Sequence, residues 1–148
     1  MSKVSMDPKV NPYIPWPSKI LKVIRHTGKE YTFRMAYTGE VKPGQFFEVC
    51  IPKYGEAPIS VSGIVPGESV DLTIRRVGVV TGEVFERYEG QELLLRGPYG
   101  NGFDVSLYTG GETVVVAGGT GVSPVRGVID ALAASDTPPG QVRDRGFP

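Results

Sequence analysis

The stretch Ser69 to Tyr88, SVDLTIRRVGVVTGEVFERY, changes its structural period half-way along. SVDLTIRRV has the composition of a strand. TGEVFERY (81–88) is the one helical candidate in a β-rich region, with Thr81 as N-cap, Glu83 in the first turn and Val84, Phe85 and Tyr88 as its apolar side. The chain turns at Gly78 between them. A strand thus delivers two arginines to a helix start, where free N–H groups, the Thr81 hydroxyl and a guanidinium form a natural site for a pyrophosphate. A plain strand-turn-helix connection carries the same letters, so the stretch alone leaves both readings open. Adjacent side chains of a strand point to opposite faces, and only one of Arg75 and Arg76 is expected to face the phosphates.

Five more β-type segments flank this one: SKILKVIRHT, YTFRMAY, QFFEVCIP, ISVSGIV and ELLLRGP. Gly28, Gly39, KPGQ (42–45), KYGEAP (53–58), PGE (66–68) and EGQ (89–91) separate them with turn chemistry. Six short strands at this spacing predict a mainly β fold, a six-stranded antiparallel Greek-key barrel over 18–109. Before it, the proline-rich residues 1–17 oppose helix and central strand alike and read as an extended arm, with Tyr13, Ile14 and Trp16 available to pack on its own domain. After residue 110 the composition changes. ETVVVAGG is a continuous apolar strand of the parallel-sheet kind, and SPVRGVIDALAAS is an amphipathic helix with Pro124 near its first turn. Residues 110–135 therefore read as the first strand and helix of an incomplete α/β nucleotide-binding domain. Residues 136–148 lose all periodicity and read as a disordered tail.

The 148 residues carry sixteen basic and sixteen acidic side chains, with no dense cationic run. This argues against nucleic acid and anionic membranes as partners. Apolar runs are too short to span a bilayer and the polar N-terminus lacks a signal-peptide core, so the expected location is cytoplasmic. The single Cys50 excludes an intramolecular disulfide and a multi-cysteine cluster, and is expected as a small core residue. The single His26 excludes a multi-histidine metal site, and no triad context surrounds any Ser, Cys or Asp. Hydrolase and metalloenzyme chemistry lose their main residues, and no catalytic or metal-ligating side chain is assigned.

Two further glycine loops stand out. In RGPYGNGF (96–103), Gly97, Gly100 and Gly102 allow positive φ, and a tight turn between strands explains them by itself. In VVVAGGTGVSP (114–124), Gly118, Gly119 and Gly121 form a turn against which a dinucleotide could lie, with the positive end of the following helix pointing inward. No Gly-Lys-Ser/Thr follows, and the spacing departs from GxGxxG.

The order of these elements is more specific than any one of them. PISVS, RRVGVVT, GPYGNGF and VVVAGGTGVSPVR, in that sequence, resemble the ferredoxin-NADP reductase superfamily. Within it they are most similar to the electron-transfer subunits of anaerobic sulfite reductase and dihydroorotate dehydrogenase and to the sulfhydrogenase gamma subunits. The resemblance covers about 10–134 and implies FAD and NAD(P)H as cofactor and co-substrate. The family's first flavin motif falls on Ala57, Pro58, Ile59 and Ser60, so that Pro58, Ile59, Ser60 and Val61 would line the isoalloxazine, Ser60 as its hydrogen-bonding member. Ala57 stands where the wider family has an arginine, and Ile59 where it has a tyrosine. The second motif falls on Gly78, Val79, Val80 and Thr81, preceded by Ile74, Arg75 and Arg76, and would hold the FAD pyrophosphate. The pyridine-nucleotide motif falls on Gly118, Gly119, Thr120 and Gly121 and continues to Pro124.

By this resemblance NAD(P)H reduces the flavin, and electrons pass singly to an iron-sulfur or catalytic subunit of a multi-subunit reductase or hydrogenase. The further β-α units and the cysteine cluster of a [2Fe-2S] centre, expected of such a subunit, are not in this sequence. Residues after Ala134 read as a truncation, an altered reading frame or an artificial end, and the chain alone is expected to be inactive. The strand 113–117 would have to pack on the barrel, self-associate with another chain or stay partly unfolded. The alternative function is a non-catalytic barrel, a remnant or interaction module that no longer binds flavin.

Overall fold

The computed structural model describes residues 11–88, 92–109 and 111–134. The beginning of the arm, the 89–91 turn and the 136–148 tail lie outside the described residues.

All six expected strands form. They are β1 (Trp16–Arg25), β2 (Glu30–Ala36), β3 (Phe46–Ile51), β4 (Gly55–Val65), β5 (Ser69–Arg75) and β6 (Glu92–Tyr99). They close into an antiparallel barrel in the order β1-β2-β5-β4-β3-β6. In it β3, β4 and β5 are consecutive neighbours and β6 returns beside β3, which is a Greek key. Period-two alternation fills the interior: Phe33 and Met35 from β2, Phe47 and Val49 from β3, Val70, Leu72 and Ile74 from β5, and Leu93 and Leu95 from β6 are buried. On the outer face Arg34 of β2 lies opposite Asp71 of β5 and donates two hydrogen bonds to its carboxylate, at 2.8 and 3.0 Å. Gly63 makes this possible, because a Cβ there would come within 2.9 Å of Asp71 Oδ2. The register of β4 shifts between Val61 and Gly63, as a bulge does.

The arm is shorter than expected. Trp16 and Pro17 already belong to β1, opposite Leu95 and Leu94 of β6, and Trp16 packs on the core cluster. The Tyr99 hydroxyl donates to the Pro12 carbonyl at 2.7 Å, tying the residues before β1 to the barrel.

Cys50 is not in the core. In β3 the inward residues are Phe47, Val49 and Ile51, and Cys50 shares the outer face with Phe46 and Glu48. There its thiol meets Glu56 Oε2 at 3.3 Å, and Arg96 of β6 pairs with the same carboxylate. The apolar letters around Cys50 suggested a core position, but its parity places it with Glu48.

The helix α1 (Val79–Arg87) starts two residues earlier than expected, with Gly78 at its cap. Val84 and Phe85 enter the core cluster, and Tyr31 and Phe85 have ring centroids 4.4 Å apart. Glu83 lies beyond the first turn and pairs with Arg87 one turn on, at 2.7 Å.

A second helix, α2 (Val122–Ala133), packs on β4 and buries Ser123, Val128 and Leu132. A Cβ on Gly127 would lie 3.2 Å from Pro43 Cβ, so the helix also rests on the β2-β3 connection. The strand expected at 113–117 is absent: residues 112–118 join no ladder, and Val114 and Val116 are 76% and 73% exposed. The reason is topological. A strand needs a partner edge, and the closed barrel offers none. Among the described residues no helix is long and apolar enough to cross a membrane.

Candidate functional site

The turn from β5 to α1 is built around Thr81. Its hydroxyl oxygen accepts from the Gly78 N–H at 3.0 Å and the Val77 N–H at 3.1 Å. Thr81 is therefore the third helical residue reaching back to the cap, and its side chain shapes the loop from beneath. Gly82 N–H closes the first helical bond to Gly78 O at 2.8 Å. The N–H groups of Val79 and Val80 have no partner among the described residues. A Cβ added at Gly78 would meet nothing within 4 Å, so the approach to these amides is open. Unspent first-turn amides carry the positive end of the helix dipole, which suits a phosphate oxygen.

Of the two arginines, Arg76 is committed. Its guanidinium donates to Glu86 at 2.7 Å, seven residues beyond Val79 and so about 10 Å along the helix by the 1.5 Å rise. Arg75 points to the other side, with its nearest acid, Glu30, at 3.8 Å and more than half of its side chain exposed. One faces along α1 and the other stays available, as strand alternation requires. Ile74 is fully buried in the core and can line a ligand only with its backbone.

On β4, opposite pairing sorts the proposed ring-contacting residues. Phe47 lies across from Ile59 and Val49 across from Ala57, so this side of β4 follows the interior. Ile59 is half-buried on the core cluster and Val61 is inside it. Pro58 and Ser60 take the outer side, across from Glu48 and Phe46. Ser60 has no side-chain partner among the described residues, so its hydroxyl is unspent. At the start of β4 the position of a Cβ on Gly55 lies 3.7 Å from Val80 Cγ2. The start of β4, just before the proposed 57–61 segment, therefore runs beside the first turn of α1, which holds the proposed 78–81 segment.

The third segment is a 3₁₀ turn, Gly119–Gly121, that leads directly into α2. Gly119 adopts φ +55°, and a Cβ at Gly118, Gly119 or Gly121 would meet nothing within 4 Å. Thr120 is half-buried. Pro124 is the third residue of α2, where a missing N–H costs no helical bond. In the 96–103 loop Gly97, Gly100 and Gly102 all have positive φ, but Gly102 is crowded by Lys42 Cβ and the Pro43 carbonyl, so the loop is a close turn of the barrel.

No protein-family model matches the chain. Curated relatives do. The gamma subunits of sulfhydrogenase 1 and sulfhydrogenase 2 of Pyrococcus furiosus are 39% and 36% identical over 86% and 81% of the chain. A probable dihydroorotate dehydrogenase B (NAD(+)) electron transfer subunit of Thermoplasma volcanium is 35% identical over 76%. Among solved structures, the ferredoxin reductase in carbazole 1,9a-dioxygenase superposes over 84% of this chain and 40% of its own, with a TM-score of 0.70 and 21% identity. Phthalate dioxygenase reductase gives a TM-score of 0.69 at 17% identity, over 84% of this chain and 41% of its own. These structures share the fold.

The chain thus has the barrel fold of these reductases and is similar in sequence to the sulfhydrogenase gamma and dihydroorotate dehydrogenase electron transfer subunits. It spans less than half the length of the three curated relatives, 47%, 44% and 43% respectively. Sequence reasoning missed two features of the barrel. One is the Arg96-Glu56-Cys50 cluster, which depends on the β3-β6 and β3-β4 registers. The other is Lys53, which holds φ at +74° in the β3-β4 turn.

Proposed function

We propose that this chain is the FAD-binding electron-transfer module of an NAD(P)H-dependent oxidoreductase. The observation that carries the reading is the first turn of α1, which packs beside β4 and whose Val79 and Val80 N–H groups are unspent among the described residues. When bound, the flavin supplies the chemistry: it takes two electrons as hydride from NAD(P)H and releases them one at a time. The chain's residues bind and orient. Val79 and Val80 N–H groups would hold the diphosphate, with Arg75 as a mobile cation beside them. Ser60 would donate to the ring edge, and Pro58, Ile59 and the backbone at Val61 would support its face. Gly118, Gly119, Thr120 and Gly121 would leave room for the nicotinamide. No side-chain acid or base is needed.

The relatives are named as subunits of a sulfhydrogenase and of a dihydroorotate dehydrogenase. That supports a partner subunit as the electron acceptor; its identity as an iron-sulfur or catalytic subunit and a cytoplasmic location are part of the same proposal. The test is the visible spectrum of the purified chain after FAD is added and the excess removed. Near-stoichiometric flavin absorbance is the expected result. A chain that stays colourless refutes flavin binding and leaves the alternative, a non-catalytic barrel, for which Ala57 in place of a cation is the favouring observation.

A further inference from the structure

We infer that Lys53 supplies the flavin diphosphate with a second cation, beside Arg75, where Ala57 offers none. The inference rests on the flavin reading above. Lys53 is the one non-glycine residue with positive φ among the described residues. A left-handed conformation strains a residue with a Cβ, whereas glycine adopts it freely. The neighbouring turn shows that the hairpin is not short of glycine, since Gly55 with φ +110° lies two residues on. Strain of this kind persists where the surrounding structure imposes it, and it gathers at ligand sites.

The position fits. Two residues of chain span at most about 7 Å, so Lys53 stands that close to Gly55, whose Cβ position touches Val80 of the α1 first turn. The hairpin is fixed against the same helix further along, where the Arg87 guanidinium lies 5.2 Å from the Tyr54 ring centroid. Lys53 is exposed, and its ammonium has no hydrogen-bond or ion-pair partner among the described residues. Arg87, Arg76 and Arg96 are held by Glu83, Glu86 and Glu56, which leaves Lys53 with Arg75 as the cations at hand. A flexible stem and a compact charge let lysine reach a phosphate without the fixed fork that the missing arginine would have used. Glu56 is the acid nearest to Lys53 along the hairpin, and its pairing with Arg96 leaves Lys53 free of it.

The experiment measures binding of FAD and of riboflavin, which lacks phosphate, to the wild-type chain and to Lys53→Gly and Lys53→Arg, by quenching of flavin fluorescence. Glycine removes both the charge and the strain, so the variant folds at least as stably as the wild type. Lys53→Gly should weaken FAD binding roughly tenfold, the size of one partly exposed charge-assisted hydrogen bond. Riboflavin affinity should stay unchanged, and Lys53→Arg should restore most of the FAD affinity. Raising the salt concentration should narrow the gap between wild type and Lys53→Gly. Equal FAD affinity in wild type and Lys53→Gly overturns the role of Lys53 while leaving the flavin reading intact. Parallel losses for FAD and riboflavin also overturn it, since the residue would then act on the hairpin and not on the phosphates. A wild type that binds neither flavin refutes the function reading itself.

Discussion

The 112–134 segment is at least as apolar in sequence as the barrel, yet the barrel is sealed and the segment is half-formed. In the barrel each strand has two neighbours, and Phe33, Phe47, Leu72 and Leu95 are completely buried. In the segment α2 has found a surface on β4, while the valines before it have none. Apolar composition creates a demand for burial, and topology decides whether the demand is met.

The largest expected effect lies inside the ring. Phe47→Ala removes a side chain at the centre of the β3-β4-β6 contact and should cost about 3–5 kcal/mol in urea unfolding. A loss below about 1 kcal/mol would break the picture of a tightly packed barrel. Leu132→Ala addresses the docked helix and should cost the α2 amides about 2 kcal/mol of hydrogen-exchange protection. The barrel amides of Phe33 and Leu72 should keep theirs. If both sets lose protection together, the two regions form one cooperative unit and the contrast fails.

A third effect separates the barrel's faces. Burial, with the Glu56 carboxylate assisting, pushes the Cys50 thiol up to about 11 from 9.0. A pKa raised by folding favours the protonated form in the folded state. The stability it contributes is complete below 9.0 and is lost as pH climbs through about 11. Tyr37 and Tyr99, also raised by burial, act in the same direction in any Cys50 variant. Cys50→Ala should therefore show a shallower alkaline loss of stability than the wild type, and superimposable curves would show that the thiol senses no burial. The smallest effect is expected at Val116→Ser, within about 0.5 kcal/mol of the wild type, because an exposed valine outside any ladder has little to lose. A larger loss would mean that 112–118 is packed in solution.

The contrast also explains what the sequence could reveal. Strands of the barrel were legible because Val70, Leu72 and Ile74 alternate with polar residues and glycine turns bound each run. The start of α1 was misplaced because Thr-Gly-Glu looks like a cap, whereas the threonine reaches backwards to Gly78. Cys50 was misplaced although the signal was present: counting by twos from Glu48 gives its face. The 113–117 strand was read from the sequence and does not form, because a strand is a property of a pair and no local pattern names the partner. The segments 57–61 and 78–81 were read as motifs, but that the start of β4 runs beside the first turn of α1 depends on the barrel closing. Which arginine is free depends on Glu86, a helical residue whose side of α1 is set by the burial of Val84 and Phe85.

The pairing of β1 with β6 completes the ring, and with it the sheet loses both lateral edges. Aggregation by strand addition, the ordinary hazard of β-rich proteins, has no starting point on the barrel. The risk is transferred to 112–118, where exposed valines sit on backbone that no ladder has used. Conditions that precipitate this protein should therefore be countered by charged substitutions at Val114 or Val116, and left unaffected by changes on the outer strands.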